Sequence, residues 1–307
     1  MIGVFGGAGF LGKNVVTYLR AQGLQVRAVS RQFDDPDLFD RIGAERVIAD
    51  LQDYESLSRA MNGLSDVIQL VSTASPGHGN TRLIRDIETS LIPQVRFLEL
   101  CQGNGVARVV FASSGGTIYG KPQMLPIPES HPTLPLSSYG LIKLVTEQYL
   151  KLFSQSFAMS HVAMRISNPY GPYQRFKNGQ GLIANVIAHC LDGTPVPVYG
   201  DGLAERDYIY VDDVSTAFYS ALRKSDVGGQ TFNIGSGVGR SVIEVLDTIE
   251  HLMGKKIPRS HIPARSTDVD RSMLDISAAR DRLGWEPTVG FEEGLRRTLA
   301  FAGLIPD

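Results

Sequence analysis

The sequence predicts a doubly wound α/β fold, in which helices cover both faces of a parallel sheet. Two observations support this prediction. Short apolar runs alternate with longer segments of helical periodicity through the first half of the chain, a pattern typical of parallel strands joined by crossover helices. The first of these runs leads into glycines spaced for a tight strand-to-helix turn. A length of 307 residues is enough for one large domain or two.

The first strand, its turn and the following helix form the segment on which the functional prediction depends. It comprises the strand Ile2–Phe5, the glycines Gly6, Gly9 and Gly12, and Phe10 and Leu11 at the start of the helix. Glycine there permits a tight turn, a close approach of backbone to a pyrophosphate, and close packing of the helix on the sheet. The free N–H groups and the dipole of the helix would face the phosphates. The segment therefore predicts a Rossmann-like dinucleotide site.

The end of the second strand, over 24–30, indicates which dinucleotide would bind. An acidic residue there would accept from the ribose hydroxyls of NAD and repel the 2′-phosphate of NADP. This chain has Ser30 and Arg31 instead, a hydroxyl and a cation that suit a phosphate. The alternative is that Arg31 is only a solvated loop residue. On local chemistry alone the sequence favours NADP.

The next elements continue the alternation. They are a strand over 47–51, a short helix over 52–61, a strand over 66–71, a long helix over 81–103, and a strand over 108–112. Asp50 and Leu51 end the first of these strands, and Asp50 is placed to reach the adenine amino group. Pro93 is expected to kink the long helix.

Two serines, Ser113 and Ser114, follow the fifth strand, and a proline-rich loop over 121–135 leads to a helix beginning near Tyr139. Tyr139 and Lys143 are four residues apart, so both side chains lie on one helix face. Lowering the tyrosine pKa from about 10 to near 7 requires ~4 kcal/mol. One unit charge at ~4 Å supplies about that much at an effective dielectric near 20. Lys143 and an oxidised nicotinamide are two such charges.

The glycine turn Gly6-Gly-Ala-Gly-Phe-Leu-Gly12 together with Tyr139-Gly-Leu-Ile-Lys143 resembles the extended short-chain dehydrogenases/reductases, and within them the nucleotide-sugar epimerase/dehydratase group. The resemblance runs nearly the full length of the chain and is strongest to the UDP-hexose 4-epimerases. It implies Ser114, Tyr139 and Lys143 as catalytic residues, with Ser113 as a second serine on the substrate side. The family usually holds NAD, so the cofactor is expected to be NAD or NADP.

The same resemblance implies a set of residues that bind a nucleotide-diphosphate sugar. They are Asn168 and Arg206 at the diphosphate, Arg265 as a second diphosphate arginine, Asp268 near the ribose, and Tyr199 at the end of the substrate-side segment 168–199. Arg206 could instead form a structural ion pair with Asp207. Seven residues after Arg265, where some 4-epimerases carry a tyrosine beside the sugar, this chain has Ser272. A small residue there predicts room for an N-acetyl group. Two departures from the family pattern are the missing acidic residue after the second strand and Ser90 in place of asparagine.

The expected organisation is a cofactor domain over 1–167, to which 203–228 returns, and a substrate domain formed mainly by 168–307. Within the second part, 232–235 is expected in the substrate domain. The chain is also expected to form a homodimer, because helices 81–103 and 140–157 carry more apolar residues than one buried face requires, and in this family such helices pair into a four-helix bundle. The apolar residues include Leu91, Ile92, Leu98, Leu141, Leu144, Tyr149 and Leu152.

Composition argues against several other classes of partner. A net charge of −2 gives no reason to expect nucleic-acid or membrane-surface binding. Cys101 and Cys190 are too few for a disulfide framework or a metal site, and the six histidines show no ligand spacing. No apolar run approaches the ~20 residues that span a membrane, and a glycine turn at residue 6 leaves no room for a signal peptide. The expected location is the cytoplasm.

Three functional hypotheses follow. The first is a nucleotide-sugar 4-epimerase, in which Tyr139 removes the proton of the 4-hydroxyl group while the nicotinamide takes the C4 hydride. The second is an NADPH-dependent 4-keto-6-deoxysugar reductase, which uses the same three residues and explains Ser30 and Arg31 better. The third is a non-catalytic NADP-binding regulator on the same fold, against which the intact catalytic set argues. A dehydratase is disfavoured because such relatives carry Thr-Asp-Glu where this chain has Ser114-Gly-Gly116.

Overall fold

The computed structural model describes residues 1–73, 80–176, 181–264 and 269–306. Seven of its strands, numbered in chain order, form one sheet: β1 (Ile2–Phe5), β2 (Val26–Ser30), β3 (Glu45–Ile48), β4 (Asp66–Gln69), β5 (Arg108–Ser114), β6 (Ser160–Ile166) and β10 (Gln230–Ile234). The order across the sheet is β10-β6-β5-β4-β1-β2-β3, and every neighbouring pair is parallel. The predicted fold class is confirmed.

Helices pack on both faces of this sheet, as the doubly wound prediction requires. The helices of the described residues are α1 (Phe10–Ala21), α2 (Pro36–Arg41), α3 (Tyr54–Met61), α4 (Leu83–Asp86), α5 (Ile92–Gly103), α6 (Ser138–Ser156), α7 (Leu182–Asp192), α8 (Val211–Arg223), α9 (Val242–Met253) and α10 (Phe291–Phe301). Of these, α1, α2 and α8 pack on one face of the large sheet and α3, α5 and α6 on the other. The core on one face contains Val15 of α1 and Phe218 of α8. The core on the other face contains Leu57, Phe97 and Leu150, from α3, α5 and α6.

The predicted long helix over 81–103 is divided into α4 and α5 by a π-helical turn, Ile87–Leu91. Pro93 lies in the first turn of α5, where its missing N–H is tolerated. The irregularity therefore precedes the proline instead of following it. Leu98, expected among the surplus apolar residues, is buried in the core.

Shorter strands build the substrate side. They are β7 (Asn168–Tyr170), β8 (Val196–Tyr199), β9 (Glu205–Tyr210), β11 (Gly239–Ser241), β12 (Arg259–Ile262) and β13 (Arg271–Ser272). β9 is the central strand of a four-stranded sheet: it lies between β11 and β13 and also pairs with β7, and β8 pairs with β12. A third core packs α7, α9 and α10 against this part.

Two assignments of segments to domains need correction. The expectation that 232–235 lies in the substrate domain is wrong, because β10 pairs with β6 and completes the large sheet. The return over 203–228 is mixed: α8 packs on α1, whereas β9 belongs to the smaller sheet. Each of these runs is short and apolar, and such a run does not reveal which sheet it joins. Among the described residues, no helix is long and apolar enough to cross a membrane.

Candidate active site

The glycine turn lies at the carboxyl end of β1, near the centre of the large sheet. Gly6 has φ +84°, a left-handed conformation that favours glycine. Its N–H and that of Gly7 donate to the carbonyl of Val29 on β2, at 2.8 and 3.0 Å. A side chain at Gly12 would overlap the carbonyl oxygen of Gly6. Close packing of α1 on the turn therefore requires glycine.

The start of α1 fits the diphosphate of a dinucleotide. Its N-cap residue is Gly9, which offers no side-chain cap, and the first turn carries no acidic residue. Phe10 and Leu11 begin the helix, so their N–H groups lie where a helix dipole attracts an anion. The turn thus leaves backbone donors for phosphate oxygens at the sheet edge where ligands bind in this type of fold.

The two predicted adenosine-side groups lie side by side at the ends of β2 and β3. The N–H of Ala49 donates to the carbonyl of Ser30 at 3.0 Å. Arg31 is exposed, and Asp50 is half-buried with its carboxylate accepting from the N–H of Gln52. β3 ends at residue 48, so Asp50 and the buried Leu51 belong to the loop after it.

An acidic residue does follow β2, but it is already paired. The Asp34 carboxylate lies 2.9 Å from Nζ of Lys13, a largely buried lysine of α1. A hydrogen bond from Lys13 is the main cause that lowers the pKa of Asp34.

Tyr139 and Lys143 lie in the first two turns of α6, as predicted, and face the end of β5. Ser137 caps the helix by accepting from the N–H of Gly140 at 3.2 Å. Nζ of Lys143 donates to the carbonyl of Ala112 at 2.6 Å. The same nitrogen lies 5.7 Å from the centre of the Tyr139 ring. The helix therefore brings a phenol and an ammonium group to the carboxyl edge of the sheet.

Ser114 completes this group from β5. It forms a side-chain hydrogen bond with Tyr139 that acts to lower the tyrosine pKa. Burial acts in the opposite direction and is larger, so the pKa of Tyr139 is raised to about 12. Burial also lowers the pKa of Lys143 to about 8, against a smaller opposing effect of Glu147. The protein alone therefore keeps the phenol protonated, and a further positive charge is needed to make it a base.

Ser113 points to the other side of β5 because successive strand residues alternate. Its hydroxyl donates to Oε1 of Glu147 at 2.6 Å and is buried. Of the two serines, the structure brings Ser114 to Tyr139 and places Ser113 in a polar network beneath the site.

Two of the predicted diphosphate residues, Asn168 and Arg206, lie on neighbouring strands of the smaller sheet. Asn168 is opposite Tyr208 on the neighbouring strand and donates to the carbonyl of Asp207 at 2.8 Å. Arg206 is opposite Ser272 of β13, so both side chains share one face. The guanidinium of Arg206 donates to the carbonyl of Glu205 at 2.8 Å.

Asp207 does not pair with Arg206, because its carboxylate lies on the opposite face of β9. It is buried and accepts hydrogen bonds from the backbone of Ser236, at 2.7 Å, and of Leu274, at 3.2 Å. The carboxylate thus ties β9 to the segments that follow β10 and β13, and so fixes the chain just after Ser272. The ion-pair alternative for Arg206 is therefore not what the structure shows.

The remaining predicted substrate residues are Tyr199, Arg265 and Asp268. Tyr199 ends β8 and is partly exposed. Arg265 and Asp268 lie outside the described residues. Within the described part of the chain, no group of three or more histidine, cysteine or acidic side chains could hold a metal ion.

Sequence reasoning missed two groups beside the site. The amide of Asn80 accepts from the N–H of Ser138 at 2.9 Å and donates to the carbonyl of Leu136 at 3.1 Å, which ties residue 80 to the start of α6. Glu147 forms a buried ion pair with Arg165 of β6 at 2.7 Å. Glu147 follows Lys143 by four residues, and that repeat of the Tyr139–Lys143 spacing was a signal in the sequence.

Comparison with known proteins identifies the chain's relatives. Residues 2–235 match the NAD dependent epimerase/dehydratase family. A putative UDP-glucose 4-epimerase of Methanocaldococcus jannaschii is 33% identical over 97% of this chain and 97% of that protein. A dTDP-4-dehydro-6-deoxyglucose reductase of Escherichia coli is 32% identical over 96% of this chain and 95% of that protein. The crystal structure of UDP-glucose 4-epimerase with UDP-glucose from Thermotoga maritima covers 98% of this chain and 97% of its own, at 34% identity and a TM-score of 0.91.

Proposed function

The chain belongs to the NAD-dependent epimerase/dehydratase family, and from this premise we propose that it is a nucleotide-sugar 4-epimerase acting on UDP-hexoses. The observation that carries the proposal is the meeting of Ser114, Tyr139 and Lys143 at the sheet edge beside a turn fitted to a dinucleotide. UDP-glucose 4-epimerases among its relatives match it over nearly its full length.

The cofactor of this enzyme is NAD, the dinucleotide of its family. Bound NAD supplies reversible hydride acceptance from C4 of the sugar. The glycine turn and the first turn of α1 hold the diphosphate through backbone N–H groups. Ser30, Arg31, Asp50 and Leu51 surround the adenosine end, and Lys143 holds the nicotinamide ribose.

Tyr139 carries the proton of the 4-hydroxyl group. Its phenol takes that proton when the C4 hydride leaves and returns it when the hydride comes back. Ser114 hydrogen-bonds the same sugar oxygen, and the Lys143 ammonium stabilises the phenolate. Because burial raises the tyrosine pKa to about 12, the protein restrains the base until substrate and cofactor are both bound.

The substrate is held at its diphosphate by Asn168, Arg206 and Arg265, with Asp268 near the ribose and Tyr199 on the substrate side. An arginine suits this task because its planar guanidinium binds phosphate oxygens bidentately. Because the protein binds the diphosphate, the hexose can rotate about it and present either face to the nicotinamide. Ser272 shares the face of Arg206, and its small side chain leaves room for an N-acetyl group on the sugar.

The enzyme works as a homodimer in this proposal. α4, α5 and the π turn between them pack beside α6, and these neighbouring helices expose several large aliphatic side chains. Those exposed are Leu83, Ile84, Ile87 and Ile92, with Leu141 and Leu152 on α6. An apolar surface of this kind is typical of an interface. Both cysteines are unpaired, which supports a reducing compartment such as the cytoplasm.

A second candidate function is an NADPH-dependent 4-keto-6-deoxysugar reductase. Ser30 and the exposed Arg31 favour it, since they suit a 2′-phosphate. The sequence similarity to the reductase of Escherichia coli gives it independent support.

The proposal is tested by incubating the purified protein with UDP-galactose and measuring UDP-glucose, for the wild type and for Tyr139→Phe. We expect the variant to lose at least about 10²-fold in kcat while it binds NAD nearly as well, because only the proton-transfer group is removed. A variant that kept a tenth of the wild-type activity would contradict the role of Tyr139. A wild type that reduces a 4-keto sugar with NADPH but does not epimerise would favour the reductase.

A further inference from the structure

Glu147 is an acidic residue with no exposed surface, directly beneath the catalytic group. It follows Lys143 by one helical turn on the same face of α6. A buried carboxylate is costly unless it is paired and hydrogen-bonded. Its surroundings meet this requirement, because it has both an arginine partner and a hydroxyl donor.

The carboxylate of Glu147 is held from two strands of the large sheet. Arg165 of β6 binds it at both oxygens, with Nη2 at 2.7 Å and Nε at 3.1 Å. Ser113 of β5 donates to it at 2.6 Å. Since Ser113 adjoins Ser114, the carboxylate also fixes the strand end that presents the catalytic serine.

Arg165 is in turn fixed from its far side. Its Nη1 donates to the hydroxyl of Tyr119 at 2.9 Å, and that hydroxyl donates to Oδ1 of Asn233 at 2.6 Å. Asn233 lies on β10 and also holds the carbonyl of Ile127 at 2.8 Å. The ion pair is therefore part of a rigid buried network that crosses three strands.

Lys143 has few groups to balance its charge. Its nitrogen donates to a carbonyl and lies 4.7 Å from the centre of the Phe111 ring. Glu147 is the anion whose charge favours the protonated form of Lys143 against the cost of burial. Neutralising Glu147 would therefore make the ammonium less stable.

We propose that Glu147 is a positioning residue for the reaction: its carboxylate, locked by Arg165 and Ser113, keeps the buried Lys143 positively charged and so sets the upper pH limit of catalysis. This inference rests on the proposed function for its catalytic consequence, but its effect on Lys143 is a property of the protein alone.

Other titratable and charged groups face this pair from α6, from β6 and from the segment between β5 and α6. Tyr139 lies one turn before Lys143 on α6, and the cation Arg165 faces Glu147 from β6. Tyr119 and Glu129, from the segment between β5 and α6, contact Arg165. His161 lies on β6, and its pKa is lowered to about 4, chiefly by burial. His161 is therefore neutral above about pH 5, so that Glu147 and Arg165 are the charged groups that act on Lys143.

The test follows the ionisation of Lys143 directly. The chain has eight lysines, so a ¹³Cε-lysine NMR titration can be assigned by the signal that disappears in Lys143→Met. In Glu147→Gln, which keeps the shape but removes the charge, we expect the midpoint of Lys143 to fall by at least about one pH unit. The alkaline limb of kcat for epimerisation should fall by the same amount, because the lysine loses its proton at lower pH.

Two variants separate charge from fold. Glu147→Asp keeps the charge and should leave the midpoint near the wild-type value. Glu250→Gln removes a similarly enclosed, ion-paired carboxylate on α9, in the substrate part of the chain. It should lower stability without changing the Lys143 midpoint or the alkaline limb of kcat. If Glu147→Gln does not fold, the double variant Glu147→Gln/Arg165→Gln removes both charges and leaves no unpaired arginine; its Lys143 midpoint should still lie below the wild type.

An unchanged Lys143 midpoint in Glu147→Gln, or in the double variant, would overturn the inference. A wild type that does not epimerise would contradict the proposed function instead, because the NMR titration needs no substrate turnover.

Discussion

At the scale of single residues, Tyr139 is held in its protonated form by the fold that positions it. Burial raises its pKa to about 12, against a smaller opposing effect of the hydrogen bond with Ser114. Lys143 contributes its charge only while it keeps its proton, and burial lowers its pKa to about 8. Activity is therefore expected to fall above about pH 8, as the lysine becomes neutral and the phenolate loses its counter-charge.

Replacing each of the two adjacent serines tests which one works with Tyr139. Ser114→Ala should lower kcat by about 10²-fold, because the phenolate and the sugar oxygen lose a hydrogen-bond donor. Ser113→Ala is the matched comparison, since its hydroxyl binds Glu147 and not the Tyr139 phenol, and at pH 7, below the alkaline limb of kcat, it should stay within about threefold of the wild type. The initial rate of UDP-galactose conversion measures both. A larger loss in Ser113→Ala than in Ser114→Ala would contradict the assignment.

The cofactor preference depends on the end of β2. Ser30→Asp with Arg31→Ala should raise the affinity for NAD relative to NADP by at least about tenfold, because a carboxylate accepts from the ribose hydroxyls and repels a 2′-phosphate. Dissociation constants for both cofactors, before and after the change, provide the measurement. Arg41→Ala, an exposed arginine on α2, is the control. An unchanged ratio of the constants would mean that Arg31 does not meet the phosphate.

Ser272 is predicted to determine the size of the accepted sugar. The wild type should convert UDP-N-acetylglucosamine as well as UDP-galactose, and Ser272→Tyr should lose at least about tenfold on the N-acetylated substrate with little change on UDP-galactose, because the added ring fills the pocket. Comparing kcat/KM for the two substrates in one preparation removes effects of folding. Equal losses on both substrates would mean that Ser272 does not border the sugar.

At the scale of helices and strands, periodicity predicted where the elements lie in the sequence better than it predicted which strands pair. The alternation of short apolar runs with helical segments gave the parallel sheet, because those patterns depend on neighbouring residues. The sheets that β9 and β10 join were harder to predict. Each strand is a short run, and its pairing depends on residues far away in the chain. The π turn before Pro93 could not be predicted either, since a single extra residue in a helical turn leaves the apolar pattern nearly unchanged.

The exposed helices predict a dimer of about 67 kDa, twice the 33.5 kDa of the chain. Ile84→Asp with Leu152→Asp should give a monomer at micromolar concentration, because two charges would be buried in an apolar interface. Light scattering measures the mass. Leu203→Asp is the control, as an equally exposed leucine on the loop before β9, and should remain dimeric. A wild type of about 33 kDa would contradict the dimer.

At the scale of the whole molecule, the candidate site could be assembled from the sequence because parallel strands bring their carboxyl ends to one edge. The glycine turn, Ser114 and the Tyr139–Lys143 pair all follow such ends. The network beneath them was not predicted, since Glu147 and Arg165 meet only when α6 packs across β5 and β6. Arg265, expected at the diphosphate, and Asp268, expected near the ribose, lie outside the described residues.

The most direct test of the proposed epimerase is to follow the hydrogen at C4 of the sugar. UDP-galactose deuterated at C4 would be incubated with the wild type in ordinary water, without added reductant. We predict UDP-glucose that retains the deuterium at C4, as expected if the hydride never leaves the site. Product that has exchanged the label with water, or no product unless NADPH is added and consumed, would contradict the proposal.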